Sequence, residues 1–248
     1  MMDLTGSARL EPAGRRPGLG VIAPFDLAID DEYWRWAGDD AVLFMTRTPY
    51  VAEPVGVGLA EAVSDPAMIT QAARSLSRAA PRATVYACTS GSFVAGARGE
   101  RSLREAMAAG GLANPLTTSG ALLDALAALG VRTVGVGTPY DRAVSARLGR
   151  FLQEAGYDTV SCAFLGLRGD IPRVSPASVH ELAVAADAPS AQAVFLSCTN
   201  LRTFEVLEDL EERLGKPVLS ANQVTMWGLL RAGNAKAAPV RQRLFTEA

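Results

Sequence analysis

The stretch A-V-F-L-S-C-T-N-L-R-T, residues Ala193–Thr203, decides the fold. An apolar, β-favouring run ends at a cysteine and small polar residues. A helical pattern then follows over Phe204–Leu214, and this order is typical of a strand, a turn and a helix N-terminus. A thiol at such a turn faces unpaired backbone N–H groups and the positive end of a helix dipole, which lower its pKa. One such cysteine, here Cys198, is by itself a modest indication of a reactive thiolate.

A second copy of this pattern occurs earlier, in T-V-Y-A-C-T-S-G-S-F, residues Thr84–Phe93. Either cysteine alone could be a buried structural residue. Two thiols on matching turns are a much stronger indication of a site. The copies align with Cys88 opposite Cys198, Thr89 opposite Thr199, and Ser90 opposite Asn200.

Two further features recur in the same order along the chain. G-V-I-A-P-F-D at Gly20–Asp26 resembles G-V-G-T-P-Y-D at Gly135–Asp141. Pro115–Ser119 and Pro217–Ala221 each precede a helical pattern that ends in glycine. An internal duplication explains all three repeated features, and the alternative is chance similarity between α/β units.

Short apolar runs alternate with helical patterns along the chain, which predicts an α/β fold of two similar four-stranded parallel-sheet halves, Rossmann-like or flavodoxin-like, related by a pseudo-twofold axis. The predicted strands are Leu19–Pro24, Ala41–Arg47, Ala83–Ala87, Pro115–Thr118, Thr133–Thr138, Thr159–Gly166, Ala193–Ser197 and Pro217–Ser220. The predicted helices are Leu59–Ala80, Ser102–Ala109, Ala121–Leu129 with Ser119 as its cap, Arg142–Ala155, Ser178–Ala186, Phe204–Leu214 and Asn222–Arg231.

The duplication predicts three segments. Residues 1–17 form a loose N-terminal tail, residues 18–118 with 221–248 form the first half, and residues 119–220 form the second half. The last helix is expected to cross back onto the first half.

Composition excludes several classes of protein. The 24 basic and 26 acidic residues give a formal charge of −2, so nothing indicates a nucleic-acid or anionic-membrane partner. No apolar run approaches the ~20 residues of a membrane span. The three cysteines lack the spacing of a disulfide framework, which predicts free thiols and a cytoplasmic location.

The predicted halves bring the candidate site residues together, because parallel sheets bind ligands at the carboxyl ends of their strands. Cys88 and Cys198 would face one small substrate from opposite sides. One thiolate would remove a proton or add to an sp² carbon while the other thiol acts on the opposite face, so neither a metal nor a cofactor is required. Expected substrate contacts and oxyanion donors are Thr89, Ser90, Tyr140, Thr199, Asn200, Asp26 and Pro24.

Other residues have simpler interpretations. Cys162, within a predicted strand, is expected in the core, and His180, the sole histidine, on the surface, which argues against histidine-based catalysis or metal binding. Arg202 would either pair with a substrate carboxylate or lie at a solvated helix start, and Trp227 would either pack in the core or form a wall of the pocket. No dinucleotide or phosphate-loop fingerprint occurs.

These motifs resemble the aspartate/glutamate racemase superfamily, in the branch of maleate cis–trans isomerases, arylmalonate decarboxylases and ectoine-utilisation-type proteins. The resemblance extends from Gly18 to Phe245. It is carried by G-V-I-A-P, A-C-T-S-G-S-F, T-P-Y-D, S-C-T-N-L-R-T and S-A-N-Q followed by Trp227. It implies two α/β halves around a cofactor-free site, each supplying one thiol, and a homodimer or higher homo-oligomer. S-C-T-N-L-R-T is closest to the ectoine-utilisation-type proteins.

The resemblance also distinguishes the branches. Cys88 matches the first thiol of the isomerases and racemases, whereas the decarboxylases carry glycine there. The decarboxylases are similar in Thr89, Ser90 and Tyr140. Maleate isomerases carry asparagine after the first strand, where this chain has Asp26, and an acid there would repel a substrate carboxylate.

Three hypotheses follow. The first is a cofactor-independent isomerase or racemase of a small carboxylate that uses Cys88 and Cys198. The second is an arylmalonate-type decarboxylase in which Cys198 alone donates the proton. The third is a non-catalytic ligand-binding protein that keeps the fold.

Overall fold

A computed structural model describes the fold of residues 16–248. Most of the predicted tail, residues 1–17, lies outside this range. Within the described range, no helix is both long and apolar enough to cross a membrane.

Within the described residues, eight strands alternate with helices. The strands are β1 Gly18–Ala23, β2 Val42–Arg47, β3 Ala83–Tyr86, β4 Pro115–Thr117, β5 Thr133–Thr138, β6 Asp158–Phe164, β7 Ala193–Leu196 and β8 Val218–Ser220. The α-helices are α1 Asp31–Ala37, α2 Val57–Ala62, α3 Pro66–Ser77, α4 Thr89–Phe93, α5 Gly96–Ala109, α6 Thr118–Ala128, α7 Arg142–Glu154, α8 Pro176–Ala186, α9 Leu207–Leu214, α10 Ala221–Ala232 and α11 Arg243–Glu247. A short 3₁₀ helix covers Ile171–Arg173.

The strands form two four-stranded sheets with matching topology. Their orders are β2-β1-β3-β4 and β6-β5-β7-β8, and every pairing is parallel. The strands β3 and β7 are buried along their whole length, as expected for parallel strands covered on both faces. The predicted α/β class with two four-stranded parallel sheets is therefore confirmed.

Several predicted helices differ from the observed ones. The pattern over Leu59–Ala80 is divided into α2 and α3, because Pro66 cannot continue a helix and Asp65 caps a new one through the Ala67 N–H. The cap of α6 is Thr117 rather than Ser119, since the Thr117 side chain accepts from the Gly120 N–H. The helices α1, α4 and α11 were not predicted.

The prediction that Cys162 lies in the core is wrong. Its strand, β6, is at the edge of the second sheet, and the residue is exposed beside a groove that α7 partly covers. The exposed side chains of Val160 and Phe164 belong to the same strand. An apolar run on an edge strand has the same composition as one in a central strand, so the sequence alone does not separate them.

The last long helix connects the two halves. The helix α10 follows the second sheet but packs on α1, α6 and β3. Beyond it, the Gln242 side chain accepts hydrogen bonds from the Trp36 indole N–H and from the Gln223 amide, both at 2.9 Å. The C-terminal segment therefore fastens α1 to α10.

A buried carboxylate makes a second connection between the halves. Glu32, on α1, is fully buried and accepts hydrogen bonds from the backbone N–H groups of Thr203 at 2.6 Å and Phe204 at 2.8 Å. The side-chain amide of Asn222 donates to the other oxygen at 2.7 Å. One side chain of the first half thus holds the loop that follows Cys198.

We expect Glu32→Ala to lower the free energy of unfolding by about 2–4 kcal/mol, because it leaves two backbone N–H groups and an amide buried without an acceptor. Urea denaturation monitored by circular dichroism measures the change.

The neighbouring Asp31→Asn variant is the control. Asp31 pairs with Arg202 at 2.7 Å on the surface, where loss of an ion pair costs less than about 1 kcal/mol. Equal destabilisation by the two variants would contradict the role given to Glu32.

Candidate active site

Cys88 lies where β3 ends and α4 begins. It is the residue before the first turn of α4 and is 6% exposed. A Cβ atom on Gly91 would lie 3.1 Å from the Cys88 Sγ and 2.7 Å from the Tyr86 hydroxyl, so the glycine leaves the space that the thiol occupies. The Tyr86 hydroxyl donates to the Val63 carbonyl at 2.7 Å. Its only proton is used in that hydrogen bond. Toward Cys88, the Tyr86 hydroxyl can therefore act only as an acceptor from the protonated thiol.

Cys198 follows β7 in a strained backbone conformation. Its φ of 93° lies in the region that residues with a side chain rarely adopt. The Asn200 backbone N–H points at the Cys198 sulfur from 3.4 Å, and the Tyr140 hydroxyl also contacts the thiol. The helix expected at Phe204 begins only at Leu207, so Cys198 is not at a helix N-terminus.

All nine candidate site residues border the same small cavity. Its volume is about 40 Å³. Its lining includes residues from the carboxyl ends of β1, β3, β5 and β7, two strands from each sheet. The nine are Pro24, Asp26, Cys88, Thr89, Ser90, Tyr140, Cys198, Thr199 and Asn200.

Four apolar side chains that the sequence analysis missed complete the lining: Val55, Leu59, Val63 and Ile171. They come from the segments after β2 and β6, the outer strands whose carboxyl ends also point toward the cavity. The Val55 N–H donates to the Arg168 carbonyl at 3.1 Å, which joins these two segments over the site. Their position after parallel strands was the available signal.

Burial raises the pKa of both thiols, contrary to the expected lowering. The pKa of Cys88 rises to about 11 and that of Cys198 to about 12. The opposing hydrogen bonds, from the Gly91 and Asn200 backbone N–H groups and from the Tyr140 hydroxyl, are weaker than the desolvation. Asp26 raises both values further through its charge. Both thiols are thus protonated at neutral pH when the cavity is empty.

Neutral donors dominate the polar part of the cavity. The Thr89 hydroxyl is buried and has no hydrogen-bond partner among the described residues, although its residue borders the cavity. A buried hydroxyl without a partner is costly, so a ligand oxygen at this place would stabilise it. Ser90 lies alongside, with its hydroxyl 4.0 Å from the Cys88 sulfur. These groups can bind a carboxylate and support negative charge on an enediolate.

Asn200 differs from its expected role as a substrate ligand. Its side-chain amide donates to the Asp26 carbonyl at 3.0 Å and accepts from the Ala28 N–H at 2.8 Å. Asn200 therefore fixes the turn that carries Asp26, and only its backbone N–H is directed to a thiol. The Asp26 side chain borders the cavity on one side and is open to solvent on the other.

The remaining candidates lie away from the cavity. Arg202 pairs with Asp31, and Trp227 packs under Arg231, whose guanidinium carbon is 4.5 Å from the ring centre. His180 is half-buried and contacts Asp209 at 3.0 Å. Between residues 16 and 248 there is no cluster of three or more His, Cys, Asp or Glu side chains arranged to hold a metal ion.

Comparison with known proteins places this geometry in a family. The model of the arylmalonate decarboxylase family matches residues 58–245. The arylmalonate decarboxylase of Bordetella bronchiseptica is 37% identical over 210 residues, which are 80% of this chain and 87% of that protein. A maleate isomerase of Geobacillus stearothermophilus is 26% identical over 130 residues, 51% of this chain and 52% of that protein.

One solved structure has a fold that is similar to this one over nearly the whole chain. It is an arylmalonate decarboxylase mutant, with one glycine changed to cysteine and one cysteine to serine, in the liganded form. It has a TM-score of 0.85 and 32% identity, and the match covers 94% of this chain and 100% of that one.

We expect iodoacetamide to label Cys162 first at pH 7.5, because that thiol is exposed whereas the other two are buried. Labelling of Cys88 and Cys198 should accelerate about tenfold per pH unit between pH 7 and pH 10, since the thiolate fraction grows in that proportion below the pKa. Timed mass spectrometry of the cysteine peptides measures the three rates. A Cys198 rate that levels off below pH 8 would contradict the raised pKa.

Proposed function

The chain belongs to the arylmalonate decarboxylase family, and on that premise we propose that it is a cofactor-independent isomerase or racemase of a small carboxylate. Cys88 and Cys198 are the paired thiols. The observation that carries the proposal is that two buried thiols, one from each half of a duplicated fold, border one cavity lined by neutral hydrogen-bond donors. A decarboxylase that protonates one face needs one thiol, whereas an inversion needs one on each face.

In the proposed reaction, one thiolate removes the proton from the carbon next to the substrate carboxylate. The C–H bond breaks, an S–H bond forms, and the electron pair moves into an enediolate. The Thr89 and Ser90 hydroxyls donate hydrogen bonds to the enediolate oxygens. The other thiol then gives its proton to the opposite face, which inverts the carbon. On a cis alkene acid, a thiolate of the same pair would add to one alkene carbon, which turns the C=C bond into a single bond. Rotation about that C–C bond and elimination of the thiolate would then give the trans alkene.

The raised thiol pKa values affect this mechanism in two ways. One proton must leave the dithiol before catalysis, so the active form is scarce at neutral pH. A thiolate of high pKa is in turn a stronger base toward carbon. The Tyr140 hydroxyl contacts Cys198, and it can stabilise the thiolate when that thiol is the base.

A second candidate function is decarboxylation of a malonate-type acid. It is favoured by the 37% identity to an arylmalonate decarboxylase and by the protonated state of Cys198 at rest. The C–C bond to one carboxylate would break, carbon dioxide would leave, and the Cys198 thiol would protonate the enediolate. Water would then restore the thiol. The apolar side chains of Val55, Leu59 and Ile171 would disfavour the charge of the departing carboxylate.

Proton NMR in deuterated water tests the first function against the second. The panel contains amino acids, 2-substituted malonates, maleate and N-acyl diamino acids. Deuterium entry with loss of optical purity supports a racemase, a cis–trans change supports an isomerase, and loss of a carboxyl group supports the decarboxylase.

We expect Cys88→Ala and Cys198→Ala each to lower kcat/KM for isomerisation by at least about 10³-fold, because either variant leaves one face of the substrate carbon without its proton carrier. Cys162→Ala is the matched control and should keep full activity. Retention of decarboxylation by Cys88→Ala, with its loss in Cys198→Ala, would favour the second function. Full isomerase activity in both site variants would refute the first.

The pH dependence of kcat/KM separates the same two mechanisms. An isomerase needs one thiolate, so kcat/KM should rise about tenfold per unit from pH 7 to pH 10, below the raised pKa of the free enzyme. A decarboxylase needs only the protonated thiol, and its rate should stay level over that range. Initial rates in a constant-ionic-strength buffer series measure the slope.

The cytoplasmic location and the homodimer or higher homo-oligomer expected from the sequence remain predictions.

A further inference from the structure

We propose that Asp26 selects the charge of the substrate, so that the site takes a zwitterion with one carboxylate and one cationic group, such as an α-amino acid, in preference to a dicarboxylate. The inference rests on the proposed function and names the substrate class of the same site.

The charge of the cavity lining is the first support. Among its thirteen residues Asp26 is the single acidic side chain, and none is basic. The neutral donors can hold one carboxylate, but none of these thirteen residues supplies a cation to neutralise a second. A dicarboxylate would therefore bring two negative charges beside a third, whereas an ammonium group would meet an opposite charge.

The internal duplication supplies an independent comparison. Asp141 occupies the position in the second half that Asp26 occupies in the first, after the matching P-[FY] turn. Asp141 is used to begin α7, since its carboxylate accepts from the Val144 N–H at 2.9 Å. The Asp26 carboxylate caps no helix, because α1 begins five residues later at Asp31. Of the two matched acids, only Asp26 has its carboxylate available to a ligand.

Surrounding contacts hold the Asp26 turn without using its carboxylate. Asn200 binds the Asp26 backbone, and the Phe25 N–H donates to the Thr48 hydroxyl at 3.1 Å. The guanidinium of Arg47 donates to the Leu27 carbonyl at 2.6 Å. Burial is the largest effect on the pKa of Asp26 and raises it, whereas a hydrogen bond from its own backbone N–H and the charge of Arg47 lower it. A bound ammonium group would favour the ionised form.

An ammonium group would also assist the proposed chemistry. Asp26 disfavours thiolate formation at both cysteines through its negative charge. A cation bound beside it would offset that effect, so the thiolate would form as the substrate binds. Because the outer side of Asp26 faces solvent, its field is partly screened, and the expected selectivity is moderate, about tenfold.

Three compounds of nearly equal shape test the inference. 2-Aminobutyrate, 2-methylbutyrate and ethylmalonate each have a carboxylate, an ethyl group and an α C–H, and differ in a third substituent that is cationic, neutral or anionic. Deuterium entry at the α carbon, and carbon dioxide loss from ethylmalonate, are followed by NMR. We expect kcat/KM to be highest for 2-aminobutyrate and lowest for ethylmalonate.

The same kcat/KM values measured for a variant at Asp26 test whether this residue causes the preference. Asp26→Asn should lower kcat/KM for 2-aminobutyrate about tenfold and raise it for ethylmalonate. Asp39→Asn, which removes the same charge from an exposed residue away from the cavity, should change neither. Turnover of ethylmalonate at least equal to that of 2-aminobutyrate, or an unchanged ratio in Asp26→Asn, would overturn the inference while the proposed function stands.

If none of the three compounds reacts, the proposed function fails for this substrate class and binding decides the inference. Thermal unfolding is then measured with each compound. A higher Tm with 2-aminobutyrate than with ethylmalonate, lost in Asp26→Asn, supports the charge selection. Equal or reversed stabilisation overturns it.

Discussion

The constraint on which the site depends is the direction of parallel strands. Each sheet presents the carboxyl ends of all its strands at one edge, so turns from one half can meet turns from the other only when those edges face each other. The central pairs β1–β3 and β5–β7 contribute the residues around the thiols, and the outer strands β2 and β6 lead into the segments that cover them. The polar and apolar walls of the cavity therefore follow from the strand order.

Enclosure and reactivity oppose each other at this site. The covering segments help to bury the thiols, and burial strengthens hydrogen bonds to a bound carboxylate but disfavours a bare thiolate. None of the thirteen lining residues, all within the described range 16–248, carries a cationic side chain that would offset that cost. Charge balance must then come from the substrate or from protons exchanged with water. This requirement links the acidity of the thiols to the identity of the ligand.

The sequence predicted the strands from their apolar runs, and it predicted from the repeated motifs that the nine candidate residues lie at one cavity. Their roles in a reaction stay predictions. The sequence missed α1, where Tyr33, Trp34 and Trp36 have weak helix propensity, and α4, whose T-S-G-S sequence is typical of a turn. The prediction that the thiol pKa values are lowered was wrong, because these values depend on desolvation by residues that are distant in sequence. The position of Cys162 at a sheet edge likewise depends on strand order, which local composition does not record.

Glu32 has a consequence for the history of the fold. A carboxylate of the first half completes the hydrogen bonds of a loop in the second, and α10 returns from the second half to pack on the first. Each half therefore depends on the other for part of its hydrogen bonding or packing. On the internal duplication that the sequence predicts, a single copy of the unit would have obtained these contacts only from a second molecule, and joining two copies in one chain would have made them intramolecular.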